Sequence, residues 1–327
     1  MKNKNSKDQF SDTIISVFEK LDYRSFHVSL TPSIIFMCGG PHVHKEGDTV
    51  PQSLRARLLI HLADKDVDLY NQCVQAEDFK DYFKADAYGD LLAFEDDIAL
   101  LSTLIIICLE SPGSLVELGM FCNKEQARKR LLVIVPQHKV ENRDSFIYLG
   151  PLMSLIKDDS SSVLIYPWPD KAAIKYDHLD VIHDDIRSKL SKIDKSNQFD
   201  INNNAHLALL IYEITRVSYP IKLTEIELAL LAIGIDVDQK TVVRLLYLLG
   251  VMKLVYVQEY SSTTFYYTKA NEEKRINFGK GKDGTILDQP NIVIRLRQSF
   301  VLSTDESSKK RMNVLKLILA KQPKEGV

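Results

Sequence analysis

The sequence predicts an α/β protein built on a doubly wound parallel sheet, followed by a smaller, mainly helical region. Three observations carry this. The apolar runs "SIIFMC" (Ser33–Cys38), Thr103–Leu109, Leu131–Val135 and Val163–Tyr166 lack polar alternation, as strands buried on both faces do. Patterns with apolar residues three and four apart lie between these runs, as covering helices require. A polar, Asn-rich linker, "DKSNQFDINNN" (Asp194–Asn204), then separates them from a different pattern of short helices and an alternating hairpin.

In chain order, residues 1–30 form an N-terminal helical segment: after a polar start, "DTIISVFEKL" places Ile14, Ile15, Val17, Phe18 and Leu21 at helical spacing. Residues 31–195 form the sheet domain. Its first strand ends at Gly39-Gly40-Pro41, a loop runs to Gln52, and "SLRARLLIHLAD" begins a helix. "DLLAFEDDIALL" is a second helix and "HLDVIHDDIRSKLSKI" closes the domain. In residues 205–270, "AHLALLIYEIT", "TEIELALLAIG" and "DQKTVVRLLYLLGVMKLV" read as three helices, the second opened by Thr224 and Glu227 in S/T-x-x-E spacing. "KLVYVQEYSSTTFYYTK" then reads as two strands around a Ser/Thr turn, and three helices plus a hairpin is the layout of a winged helix. Residues 271–327 hold a Gly- and Lys-rich loop, "FGKGKDGT", and a helical end.

A chain of 327 residues with 45% apolar content is long enough for about two cores. The net charge of -2 is unevenly spread: residues 1–204 hold 24 basic and 31 acidic side chains, residues 271–327 hold 12 and 7. A basic tail behind an acidic front fits either an anionic partner or a solvated end. The four cysteines, Cys38, Cys73, Cys108 and Cys122, form no C-x-x-C pair and read as small hydrophobes in a reducing compartment. With no apolar h-region at the N-terminus and no apolar run of membrane-spanning length, a soluble cytoplasmic protein without membrane contact is expected.

The stretch "SPGSLVELG" (Ser111–Gly119) follows the Thr103–Leu109 strand, where open α/β sheets gather ligands. Ser114 and Glu117 fit a capping box, so Glu117 is either a helix cap or a reactive carboxylate. Gly39 and Gly40 form either a plain turn or a place where backbone N–H groups meet a phosphate; the redox G-x-G-x-x-G fingerprint is absent. Arg55 and Arg57 read as a surface pair or as phosphate clamps. Asp97 is the choice among Glu95, Asp96 and Asp97 for ribose hydroxyls, with plain helix-surface acidity as the alternative. His42 and His44 form an H-x-H pair with no completing ligands, so no metal and no cofactor is expected. In the winged-helix region, Lys240 and Arg244 would meet nucleic-acid phosphates, but six basic against six acidic residues over 205–270 fit protein contact equally well. Tyr256, Tyr260, Phe265, Tyr266 and Tyr267 fit base stacking or, more simply, hairpin packing.

The segment "FEDDIALLSTLIIICLESPGSLVELGMF" resembles the nucleoside 2-deoxyribosyltransferase family, whose pattern is an aspartate, an apolar strand and then Gly-Ser/Thr-x-x-Glu-x-Gly. The matching positions are Asp97, Thr103–Leu109, Gly113, Ser114, Glu117 and Gly119. The resemblance implies a deoxyribosyltransferase-like sheet domain in which Glu117 attacks a sugar anomeric carbon. Asp97 would orient the ribose, and Gly39, Gly40, Ser111, Gly113 and Ser114 would hold the sugar-phosphate. The family carries an aspartate six residues before its glutamate; this chain has Ser111 there. With a single carboxylate and no evident general acid, the pattern suits NAD, whose nicotinamide leaves as a neutral ring, better than an ordinary nucleoside.

Together with the winged helix and basic tail, the chain resembles the toxic effector of a bacterial retron. That resemblance implies an N-glycosidase acting on NAD or a related nucleotide, with NAD as substrate rather than cofactor. It also implies partners: a reverse transcriptase and its multicopy single-stranded DNA–RNA hybrid, which hold the toxin inactive in a higher-order assembly. The competing expectation is a nucleotide-sensing winged-helix regulator that binds DNA without catalysis, in which Glu117 is only a cap.

Overall fold

The computed structural model describes residues 9–41, 50–75, 88–89, 91–170, 173, 175–270 and 272–321. In chain order the first elements are α1 (Gln9–Phe18), β1 (His27–Ser29), β2 (Ile35–Cys38), α2 (Leu54–Lys65), α3 (Val67–Asn71), β3 (Cys73–Val74), α4 (Leu91–Leu101) and β4 (Leu104–Cys108). There follow α5 (Pro112–Cys122), α6 (Glu125–Arg128), β5 (Leu131–Pro136), α7 (Gln137–Val140), α8 (Met153–Asp158), β6 (Val163–Tyr166), α9 (Leu179–Lys192) and β7 (Ser196–Gln198). The remainder is α10 (Asn204–Ser218), α11 (Leu223–Ile233), α12 (Gln239–Val251), β8 (Tyr256–Tyr260), β9 (Thr263–Tyr267), β10 (Ile276–Asn277), α13 (Gln289–Val301) and α14 (Glu306–Lys321). Contacts divide these elements into two units, one of the sheet and its helices between Pro32 and Lys195, the other formed by the chain before Pro32 and after Lys195 together with Tyr88 and Gly89.

The sheet unit is a five-stranded parallel sheet in the order β3-β2-β4-β5-β6. Its runs of Ile, Leu and Val are buried throughout β2, β4 and β5, because side chains of alternate residues meet helices on opposite faces. Ile35, Met37, Leu104, Ile106, Cys108, Leu132 and Ile134 pack with Leu54, Leu58 and Leu62 of α2 and Ile182 and Ile186 of α9. On the other face Phe36 meets Phe121 of α5 edge-on at 6.3 Å. Helices on both faces make the sheet doubly wound, each large side chain so buried contributing about 1.5–3 kcal/mol. The strand order reverses between β2 and β4, so the crevice beyond their carboxyl ends is a topological switch point.

The other unit contains the stretch read as a plain linker. Ser196–Gln198 instead forms β7, which pairs antiparallel with β1, and β10 pairs on the other side of β1. Phe199, the one aromatic of that stretch, anchors it by edge contacts to Tyr23 and Phe26. Helices α10, α11 and α12 precede the β8–β9 hairpin, whose Ser261 and Ser262 turn has positive φ at both residues (46° and 60°), the twist that two-residue hairpins require. Ile221 bridges to Tyr266 alongside the hairpin. The N-cap of α11 is Lys222, whose N–H donates to the Glu225 carboxylate at 2.8 Å, so the start lies two residues before the Thr224–Glu227 pair expected to open it. Glu225 also receives the guanidinium of Arg311, a fully buried residue of α14 whose planar face lies 3.7 Å from the Phe10 ring centroid. The basic C-terminal segment is therefore built into this unit through α14 rather than solvated along its length. Among the described residues no helix is long and apolar enough to cross a membrane.

Asp66 ties the sheet unit's outer helices together. It accepts from Leu69 N–H at 3.2 Å as the cap of α3, from His183 Nε2 at 2.8 Å and from Arg187 Nε at 2.7 Å, both on α9. The Arg187 hydrogen bond is the main reason its carboxyl is held down to about 2 from the ordinary 3.8. A folded-state value below the unfolded one gives stability that is complete above 3.8 and lost as pH falls towards 2. Asp66→Asn should therefore cost about 2 kcal/mol at neutral pH and lose less than wild type on acidification to about pH 3, measured as the urea midpoint at both pH values.

Candidate active site at the switch point

The carboxyl ends of β2 and β4 bring together most of the residues singled out from the sequence. Helix α5 starts three residues earlier than the S-x-x-E spacing indicates. Its N-cap is Ser111 with Pro112 in the first turn, and the capping box pairs Ser111 with Ser114: Ser114 N–H donates to Ser111 Oγ at 3.1 Å and Ser111 N–H to Ser114 Oγ at 3.0 Å. Proline at the first helical position fixes this register, because it has the right φ and gives up no needed N–H. Glu117 is thus not the capping acid. It lies in the second turn, half-buried, on the stripe that includes buried Ser114 and Phe121 and faces the sheet.

Ser111 also donates from Oγ to Gly39 O at 3.2 Å, joining the end of β2 to the start of α5. Gly40 N–H is spent within the protein. It donates to Glu110 Oε1 at 2.9 Å, while Leu54 N–H reaches Oε2 at 2.8 Å and Arg55 N–H reaches Oε1 at 3.1 Å. Of the two readings of this turn, the Gly40 amide is engaged within the protein, and the Glu110 carboxylate holds the place a ligand phosphate would take. Both glycines are needed for its close approach, since a Cβ on Gly40 would lie 2.8 Å from Ser53 Cβ and 3.0 Å from Glu110 Cδ, and one on Gly39 would lie 3.0 Å from Cys108 Cβ. Sequence reasoning missed Glu110, although an acid directly after a buried strand and facing a Gly-Gly turn was the available signal.

Glu110, Arg55 and Glu117 all act on the Cys108 thiol at the end of β4. Complete burial, first, and the two carboxylates raise its pKa far above the ordinary thiol range against the opposing guanidinium. Cys108 is therefore a protonated packing residue. Tyr176 also approaches this end, its phenol pushed up to about 12 chiefly by burial. Arg55 and Arg57 are not a surface pair, being 1% and 4% exposed. Arg55 Nη1 donates to Met37 O at 3.2 Å, and Arg57 donates to the carbonyls of Pro51, Ala173 and Asp170, so both side chains tie backbone segments together.

Gly113 is exposed in the first turn of α5, beside Ser114. Asp97 is buried in α4, one turn before the helix end that feeds β4. Its neighbour Asp96 pairs with Lys124. In the other unit Lys240 is exposed on α12, whereas Arg244 lies over the Tyr88 ring, 5.8 Å from its centroid. Phe265 and Tyr267 pack with Val314 and Ile318 of α14, with Tyr256 and Tyr260 at the margin, which gives the hairpin aromatics a packing role. His42 and His44 lie outside the described residues. Among the described residues no group of three or more His, Cys, Asp or Glu side chains is placed to hold a metal.

A doubly wound α/β domain with carboxylates gathered at its switch point, followed by a helical unit carrying a hairpin, defines the class. The chain belongs to the STM3845 retron effector protein family, whose profile it matches over residues 51–259. It is similar to the Escherichia coli "Retron Ec86 putative ribosyltransferase/DNA-binding protein", 32% identical over 258 residues that span 75% of this chain and 78% of the relative. The Escherichia coli Retron Ec73 protein of the same description is 32% identical over 150 residues, 42% of this chain and 47% of the relative.

The cap geometry gives a direct expectation. Ser111→Ala removes both the cap of α5 and the link to Gly39, and should cost about 1–2 kcal/mol in chemical denaturation. Thr at the same position keeps the hydroxyl and should restore most of it.

Proposed function

We propose that this retron effector is an N-glycosidase that cleaves the ribosyl–base bond of NAD or a related nucleotide, with Glu117 as the reacting carboxylate. One observation carries the reading: the cap of α5 is complete in Ser111 and Ser114, so the half-buried carboxylate of Glu117, one turn further on at the switch point, has no part in starting the helix. The resemblance of "SPGSLVELG" to the deoxyribosyltransferase motif, and the ribosyltransferase in the names of the two relatives, support the same chemistry.

In this reading the Glu117 carboxylate lies beneath the anomeric carbon. The C1′–N bond breaks, its electron pair returns to the nicotinamide ring and cancels the ring's positive charge, and no acid is required. The cationic ribosyl fragment is held by the carboxylate as an ion pair or an ester until water attacks C1′ and releases a proton to solvent. Asp97 is the candidate for ordering the ribose, and Ser111 and Gly113 at the start of α5 are the candidates for meeting the sugar-phosphate, while Ser114 is buried in the cap.

The helices α10, α11 and α12 with the β8–β9 hairpin follow the element order of a winged helix, and the relatives' names include DNA binding. We assign this unit, with exposed Lys240, to docking the reverse transcriptase and its DNA–RNA hybrid, which would keep the toxin silent in the assembled complex. The regulator reading would make Glu117 only a cap, whereas Ser111 and Ser114 form the cap of α5.

The test is nicotinamide release from NAD by the full chain, alone and with the reverse transcriptase complex. Glu117→Gln should lower release on the order of 10³-fold. Its melting temperature should stay near that of wild type, because Gln matches Glu in shape and helix propensity. Equal release by Glu117→Gln and wild type would remove Glu117 from the chemistry.

A further inference from the structure

The N-terminus of α2 and the turn after β2 converge on one point, and the protein fills that point itself. In doubly wound folds the backbone N–H groups gathered at such a place hold a ligand's phosphate. Here the N–H groups of Gly40, Leu54 and Arg55 donate to the Glu110 carboxylate at 2.9, 2.8 and 3.1 Å. The cradle is fitted to this side chain: a Cβ on Gly40 would stand 3.0 Å from Glu110 Cδ, and one on Gly39 would stand 3.1 Å from Oε1. A phosphate at this point would need the same three donors and would meet a like charge.

We infer that Glu110 is the specificity-determining residue of this corner, an internal anion that keeps ligand phosphates away from the ends of β2 and β4. The corner next to Glu117 is thereby left to the uncharged sugar and base. A dinucleotide would enter with its diphosphate directed away from the strand ends, which presents the ribosyl–base bond, and not the phosphate ester, to Glu117. This consequence for substrate orientation rests on the glycosidase reading. The exclusion of phosphate does not, because it follows from the occupied N–H groups alone.

The experiment is thermal unfolding of the full chain as wild type, Glu110→Ala and Glu110→Gln, in sodium acetate, inorganic phosphate or sodium chloride at matched ionic strength. Wild type should show only the small general stabilisation that phosphate and acetate give a folded protein over chloride. Glu110→Ala should melt lower in chloride and be raised by several degrees in both acetate and phosphate, since an added anion regains the vacated N–H groups. Glu110→Gln, which fills the space without the charge, should melt lower and gain no more than wild type from either anion. If Glu110→Ala does not fold in chloride, its refolding in acetate or phosphate is the readout: recovery with an anion supports the inference and failure with both overturns it. The inference also falls if a folded Glu110→Ala gains from neither anion, or if phosphate stabilises wild type as much as Glu110→Ala. Turnover plays no part in the measurement, so its failure is distinct from a failure of Glu117 as the reacting group.

Discussion

Three backbone N–H groups donating to one carboxylate decide how the carboxyl edge of the sheet is built. Glu110 follows β4, Gly40 follows β2 and Leu54 opens α2, so this acid joins two central strands to the helix that covers them. A carboxylate accepting N–H bonds at a helix start is favoured by charge-assisted hydrogen bonding and by the helix dipole together. The glycines follow from it, because a side chain at either would collide with the residues that form the corner. Ser111 then carries the arrangement on to α5 through its hydrogen bond to Gly39 O, and the position of Glu117 follows from where that helix begins.

The other unit is fastened by the same kind of group. Glu213, fully buried in α10, accepts from the backbone N–H groups of Arg275 and Ile276 at 2.9 and 3.3 Å and from Gln289 Nε2 at 3.0 Å, and pairs with Arg216. Glu225 pairs with buried Arg311, which stacks on Phe10 and also covers Pro220 O. Removing one member of such a pair strands the other in a low-dielectric interior, at a cost of about 3–5 kcal/mol. Each carboxylate holds segments that are distant in the chain, and this is how the N-terminal helix and the C-terminal helices come to share a unit with α10, α11 and α12.

The parts legible in the sequence were those with short-range causes. The strands announced themselves as apolar runs, the helices by three-and-four spacing, and the hairpin by its alternation about Ser261 and Ser262. The strand end that carries the candidate site was legible too, since a buried strand running into a small-residue turn defines a strand end wherever it sits in the sheet. What escaped was set by distant partners or by competing local signals. Glu110 finds its donors 70 and 56 residues away, and β7 finds β1 across nearly the whole sheet unit, so neither leaves a periodic trace. Ser111 and Ser114 both offered caps, and Glu117 completed the more familiar pattern; Pro112 was the residue that distinguished them. Arg55 and Arg57 looked like surface charges because charge alone does not reveal the backbone carbonyls they serve.

The way the corner uses its hydrogen bonds also restricts which reactions it can assist. Acyl and phosphoryl transfer build negative charge on oxygen, and enzymes meet that charge with backbone N–H groups or cations held in readiness. Here the N–H groups of Gly40, Leu54, Arg55 and Ser114 are bound to the protein's own side chains, and the Arg55 guanidinium is turned back onto Met37 O. Two carboxylates, those of Glu110 and Glu117, act on Cys108 at the end of β4. A developing anion would find those four N–H groups already occupied. On the glycosidase reading, a developing cation, such as an oxocarbenium-like sugar losing its base, would meet the carboxylate of Glu117 instead.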